Sequence, residues 1–412
     1  MFERAVNLAL RGITLISKFA MIFCMAIFLA PAQVGLYGLL FSSIIYCIYF
    51  VGFDFYAYST REITAAPKDL WFTFLRDQSF FTLFAYVCVL PLLLLIFTFG
   101  LLPWSIAAWF FILLILEHLS QEINRLLTAM SKQLEASFVL FLRSGLWSVL
   151  VVVFMWIFPE YRDLKWVFVF WALGLVSAVA LGVFFLLRIE SKRPFRSFSF
   201  EWVWTGVKVS IPLLIASLAI TGLFTFDRFF VKDIVGVEVL AAYVLFAGIA
   251  NAIMAFIDAG VIVFFFPKVI SAARNKHIDE LISLITAMTK QVFLFGLFLS
   301  IMALIFSHVL VTYLKAPVYA ENIYFAYWLV ASVFVYVISL IPHLALYGLG
   351  KDRVIVSAQL VSLSIFLLGA FYLKDGFGVD GVLFALLFSC AVMGVIKAIF
   401  YFKCLRGMHY TR

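Results

Sequence analysis

Charge is what this sequence has least of. Asp, Glu, Lys and Arg make up 13% of its 412 residues, against about 25% in soluble globular chains, and this excludes a fold solvated on all sides. Histidine and cysteine occur five times each. Cys24, Cys47, Cys88, Cys390 and Cys404 show no metal-ligand spacing and no paired framework, so neither a zinc site nor a disulfide scaffold is implied. No glycine-rich phosphate loop is present to bind ATP. The connections between apolar runs are short, up to about eleven residues on one side and about twenty on the other. None can house a soluble catalytic domain, nor the large outer loop expected of a membrane glycosyltransferase or polymerase. No cofactor is called for.

Apolar side chains are what it has most of: 66% of residues are hydrophobic and 50 are Phe. Runs long enough to cross a bilayer as helices, about 20 residues each, fall near 12–30, 36–58, 79–100, 103–120, 137–158, 166–188, 207–227, 239–266, 290–314, 322–348, 354–373 and 379–402. Barrel strands are shorter and alternate in polarity. The expected fold class is therefore an all-α polytopic membrane protein with twelve transmembrane helices. With a cytoplasmic N-terminus, twenty Lys and Arg fall on inner segments and six on outer ones, while Lys18, Arg143, Lys208 and Lys397 lie within runs. That asymmetry is the positive-inside signature, and it sets both termini in the cytoplasm. The net charge of +8 then reports topology and contact with anionic lipid, not nucleic acid. Residues 1–32 imitate a secretory signal ending in Ala30-Pro31-Ala32, but the charge alternation requires this segment as the first span.

Polar residues inside the runs carry the functional information. A charge at the centre of a span costs about 2.5–3.5 kcal/mol, so Lys18, Asp54, Arg143 and Asp258 must pair or face water. Their neighbours recur at helical spacing. The first span has Asn7, Arg11, Thr14 and Lys18; the seventh has Ser210, Ser217, Thr221, Thr225 and Arg228; the tenth has Ser332, Tyr336, Ser339, His343 and Tyr347. The second carries Ser43, Tyr46 and Asp54, and the eighth Asn251 and Asp258. Such stripes are expected to line one aqueous cavity; for the hydroxyls alone, gluing helices together is an open alternative. Asp227 and Arg228 cap the outer end of the seventh span.

The chain also echoes itself. Asp54 follows Leu36 by 18 residues and Asp258 follows Leu240 by 18, each near the inner end of the second span of its half. Two parallel six-helix repeats around a central cavity are expected, 1–205 and 206–412, in the manner of secondary transporters.

At this point the residues resemble a family. DRFFVKDIVGVEVLAAYVLF (227–246) is similar to the Asp-Arg…Gly…Ala-x-Tyr signature of polysaccharide transporters in the multidrug/oligosaccharidyl-lipid/polysaccharide exporter superfamily. PAQVGLYGLLFSSIIYCIYFVGFDFYAYSTREI (31–63) resembles the matching first-half segment, and QEINRLLTAMSKQLEASFVLFLRSGLW (121–147) resembles a block of the Wzx-like O-antigen flippases. The resemblance implies flipping of an undecaprenyl-pyrophosphate-linked oligosaccharide across the bacterial inner membrane, with a polysaccharide polymerase and a chain-length regulator as partners. It further implies that Lys18, Arg143 and Arg228 meet the pyrophosphate. Ser217, Thr221, Asn251, Tyr336 and His343 would complete the substrate cavity. One departure from the family is that Asp54 and Asp258 leave the sign of the cavity mixed. Acids within or capping spans can bind a coupling proton or sodium ion, and Asp54, Asp258 and Asp227 are the candidates. Two other readings stand beside this one: a proton- or sodium-coupled multidrug exporter of the same superfamily, and a membrane acyltransferase acting through His308 or His343.

Overall fold

The structure is a computed structural model that describes residues 2–189 and 197–409. Every regular element among the described residues is helical. Among the described residues, ten continuous helical stretches are long and apolar enough to cross a membrane. Two of them, Phe200–Arg274 and Asp352–Arg406, are interrupted part-way, which gives twelve spans among the described residues. The chain is thus an all-α, multi-pass membrane protein. Its outer faces fit a lipid solvent: Phe80, Leu83, Phe84 and Val87 on the third span, and Phe293, Leu294, Leu297, Phe298 and Ile301 on the ninth, are exposed at helical spacing.

Both interruptions rest on glycine. Gly236 has φ +81° and ψ 172°, and Gly378 has φ +57° and ψ −135°. A Cβ is disfavoured at such angles, so one residue here does the work expected of a loop. That is why the seventh and eighth spans, read from the sequence as separated by residues 228–238, are almost continuous.

Several ends differ from the apolar runs, and for one reason. Backbone hydrogen bonding continues past the last greasy residue wherever one helix face still finds packing. The fourth span runs to Ala129 rather than 120, and the ninth helix begins at Ile278 rather than 290. The opposite holds in the second span. It ends at Gly52, not 58, because Phe53 and Asp54 both adopt left-handed backbone, φ +52° and +51°. The chain restarts as a short helix, Tyr56–Ala65, whose Ile63 carbonyl accepts a hydrogen bond from Trp71 Nε1 at 2.9 Å.

The residues divide into two compact units: Met1–Leu29 with Leu39–Leu218, and Ala30–Gly38 with Ala219–Arg412. In the first, the start of the seventh span is held by aromatic packing. Trp202 stacks on Phe74 and lies edge-on to Phe55, with ring centroids 5.1 and 5.4 Å apart. Ser199 Oγ accepts from the Trp202 amide at 3.2 Å, a helix N-cap, while buried Asp77 accepts from the Ser199 amide at 3.2 Å. The second unit has its core in an unbroken buried stretch, Leu240 to Ala247, with Phe325 and Phe366.

Candidate functional site

One charge cluster of the first unit is built on an irregular helix. In the fifth span, Gln133–Leu140 and Trp147–Ile157 are joined by a π-helical turn, Phe141–Leu146. Such turns are frequent at functional sites. Arg143 sits in it, its carbonyl accepting from Trp147 Nε1 at 2.8 Å. Gly145 allows the first span to approach closely, since a Cβ there would lie 3.0 Å from Thr14 Oγ1. Arg143 donates from Nε and one Nη to the same oxygen, Glu117 Oε1, at 2.8 and 2.5 Å. Glu117 is 5% exposed and its Oε2 has no hydrogen-bond partner. Lys18 of the first span is exposed, makes no hydrogen bond or ion pair among the described residues, and lies near enough to feel the charges of both.

A second network holds the end of the second span. Asp54, 4% exposed, accepts from Ser217 Oγ at 2.5 Å. Asp54 lies just beyond the span's last helical residue. Burial raises its carboxyl above the ordinary carboxylate range, while the Ser217 hydrogen bond and the Arg125 charge act in the other direction. Glu122 joins Gln78 Nε2 at 2.7 Å to Arg125 at 2.8 Å, and Arg125 lies 3.5 Å over the Tyr56 ring. His118 shares a 2.8 Å hydrogen bond with Tyr86, and its other ring nitrogen faces the place where a Gly52 Cβ would stand.

In the second unit Asp227, 2% exposed, accepts from Tyr243 at 2.5 Å and from the Arg228 amide at 2.7 Å. Arg228 donates back to the Phe224 carbonyl and lies 3.8 Å from Asp227. Phe224 departs from helical angles (φ −97°, ψ 16°), and its ring packs edge-on to Tyr336, 5.2 Å between centroids. This group braces a bend. His343 leaves Nδ1 without a partner and faces the charge of Lys397, which is 1% exposed. Thr221 is half-buried. Asn251 and Asp258 are exposed, and Asp258 makes no hydrogen bond or ion pair among the described residues. Asp258 opens a second π-helical turn, Asp258–Ile262.

The structure thus brings Lys18 together with Arg143, Asp54 with Ser217, and Asp227 with Arg228. It leaves Asp258 alone. The stripe hydroxyls mostly bond their own backbone: Thr14 to Leu10, Ser332 to Trp328 and Ser339 to Tyr336, at 2.6–2.8 Å. These three act neither as glue between helices nor as open ligands, whereas Ser217 does bridge to another segment through Asp54. Glu117, Glu122, Arg125, Tyr243 and Lys397 are the polar partners to which the sequence assigned no role. Glu117 was legible only as a residue at the edge of a run, and the longer fourth helix makes it a mid-helix charge.

No known protein family and no curated protein matches the chain. Solved structures do. It is similar to an inward-facing multidrug resistance MATE family transporter of the MOP superfamily, with TM-score 0.77, 14% identity, and 99% of each chain covered. An outward-facing MATE transporter matches with TM-score 0.65 at 14% identity, over 99% of this chain and 95% of that one. A MOP superfamily transporter from Pyrococcus furiosus, whose reversed binding-pocket polarity is described as suggesting a different function, matches with TM-score 0.62 at 14% identity and the same coverage. At this identity the likeness is one of fold.

Proposed function

We propose that this protein flips a polyprenyl-pyrophosphate-linked oligosaccharide, an O-antigen or related repeat unit, from the cytoplasmic to the periplasmic leaflet of a bacterial inner membrane by ion-coupled alternating access. The observation that carries this reading is the Lys18–Arg143–Glu117 cluster. Two cations and one anion within neighbouring spans leave a net positive charge, and Lys18 has no ion-pair partner among the described residues. A diphosphate is too polar to cross about 30 Å of hydrocarbon unaided, and guanidinium and ammonium groups are its natural counter-charges. Its prenyl chain can remain in lipid throughout. Asp54 and Asp258 are the coupling acids in this scheme. A polymerase and a chain-length regulator would receive the product. The two six-helix repeats, 1–205 and 206–412, would be the moving bodies.

A second reading is a proton- or sodium-coupled multidrug exporter. Two observations favour it: the fold shared with MATE transporters, and the exposed, unpaired Asp258, which suits a cationic substrate. The test is direct. Proteoliposomes are given a fluorescent prenyl-pyrophosphate sugar and, separately, a cationic dye, under imposed proton and sodium gradients. Gradient-dependent flipping of the lipid without dye transport is the expected outcome. Dye transport alone would transfer the assignment to the exporter.

A further inference from the structure

Arg143 holds Glu117 in an incomplete way. An arginine–carboxylate pair commonly uses two N–H groups on two oxygens. Here both donors converge on Oε1, and Oε2 is left buried with no partner. A buried acceptor without a donor is unfavourable, so the pair is poised for a partner of better shape. Beside it, exposed Lys18 is uncommitted and within electrostatic reach of both residues. The first span packs against the π turn that carries Arg143, and Glu117 reaches Arg143 from the fourth span.

We infer that Glu117 is a built-in competitor for the anionic headgroup: it occupies Arg143 in the empty protein and yields it to a diphosphate, while Lys18 takes over the freed carboxylate. This rests on the diphosphate-lipid reading above. The exchange leaves all three charges of the cluster paired, Lys18 included. Arg143 gains a two-oxygen acceptor on a phosphoryl group that matches its fork, and Lys18 gives Glu117 the donor it lacks. No covalent bond forms or breaks. On the far side Glu117 recaptures Arg143 and expels the headgroup. Glu117 is therefore a positioning residue whose presence weakens binding and speeds release.

The experiment uses full-length protein in nanodiscs, a fluorescent polyprenyl diphosphate as probe, and polyprenol and polyprenyl monophosphate as comparisons. Glu117→Gln is expected to bind the diphosphate at least tenfold more tightly than wild type. It should flip the probe more slowly at saturation and bind the polyprenol unchanged. A purely structural role would weaken binding to all three. If Glu117→Gln yields too little folded protein, Glu117→Asp, whose carboxylate is set back by one methylene, should show a smaller gain in the same direction. Glu117→Gln with Arg143→Gln should lose the gain. Unchanged or weaker diphosphate binding in a folded Glu117 variant, with wild type binding normally, overturns this inference alone. Failure of wild type to bind any diphosphate lipid overturns the substrate reading as well.

Discussion

Two stretches of the described chain replace α-helical turns with π-helical ones, Phe141–Leu146 in the first unit and Asp258–Ile262 in the second, and each carries a charge within a span. They treat it differently. Arg143 is locked to buried Glu117 and backed by Trp147, which stacks on Trp171 at 5.8 Å. Asp258 is exposed and bonds to nothing among the described residues. The geometry that widens a helix is the same in both, so the π turn alone does not decide a charge's role. Its neighbours do. A charge with a buried partner is part of the fold as well as of any site. A charge without one is free for a ligand, and its removal should register in function alone.

The largest effect should come from breaking the paired side. Glu117→Ala strands the Arg143 guanidinium, whose side chain is only 13% exposed, and loss of one partner of a buried pair typically costs about 3–5 kcal/mol. A sharply lower melting temperature and yield in detergent are expected, whereas Asp258→Ala should melt as wild type does. Equal melting of the two variants would erase the distinction. Arg143→Ala strands Glu117 in the same way, so a null phenotype from it reports on folding unless protein levels are matched.

The two glycines of the π turns sharpen the comparison. A Cβ at Gly145 would lie 2.7 Å from the Phe141 ring and 3.0 Å from Thr14 Oγ1, while one at Gly260 would meet only Phe295 Cε1 at 3.3 Å. Gly145→Ala should then cost about 1–3 kcal/mol, in the range of overpacking a close contact. Gly260→Ala should cost less than about 1 kcal/mol, because a single ring edge can yield. Denaturation of both variants side by side checks the order. A reversal would mean the first span does not press on the Arg143 turn.

How much of this was legible in the sequence follows the same physics. Twelve spans could be read because hydrocarbon thickness dictates run length. Their ends could not, since helices such as Ala107–Ala129 outlast their greasy stretch. That error set Glu117 at a membrane edge and hid Arg143's partner. The cost of a lone charge did predict that Arg143 must pair or face water, though a separation of 26 residues on another span left its partner unnamed. Asp54 could be picked as a special acid but not as a left-handed residue, because the positive φ falls on Phe53 and Asp54 and not on Gly52 just before them. Gly236 and Gly378 could have announced theirs.

Asp54 stands between the two extremes, buried yet held by a hydroxyl rather than a cation, and its pH response measures where it falls. Burial raises its carboxyl above the usual value near 3.9. An acid so shifted in the folded state contributes stability that is present at low pH and lost as pH rises through the folded value. Wild-type melting should therefore rise modestly on mild acidification below neutrality. Asp54→Asn tolerates the left-handed backbone and stays uncharged, so it should flatten that rise. A variant with the wild-type slope would assign the response elsewhere.

The smallest effect on stability, and the one most telling for function, is expected at Asp258. Its exposure and lack of partners mean that Asp258→Asn removes no internal hydrogen bond or ion pair, so melting should shift by no more than about 0.5 kcal/mol, the range of surface substitutions away from special features. If Asp258 binds the coupling ion, the same variant should lose its response to imposed proton or sodium gradients in proteoliposomes. Binding of a prenyl-pyrophosphate lipid should persist, because the Lys18–Arg143 cluster lies in the other unit. Asp258→Glu, which keeps the charge one methylene further out, should recover part of the gradient response. Full gradient dependence in a stable Asp258→Asn protein would remove this residue from the coupling step and leave Asp54 as the acid to which that role falls. Loss of lipid binding together with gradient response would instead mean that the unpaired π turn serves the substrate directly, and the contrast between the two turns would then be one of partner rather than of purpose.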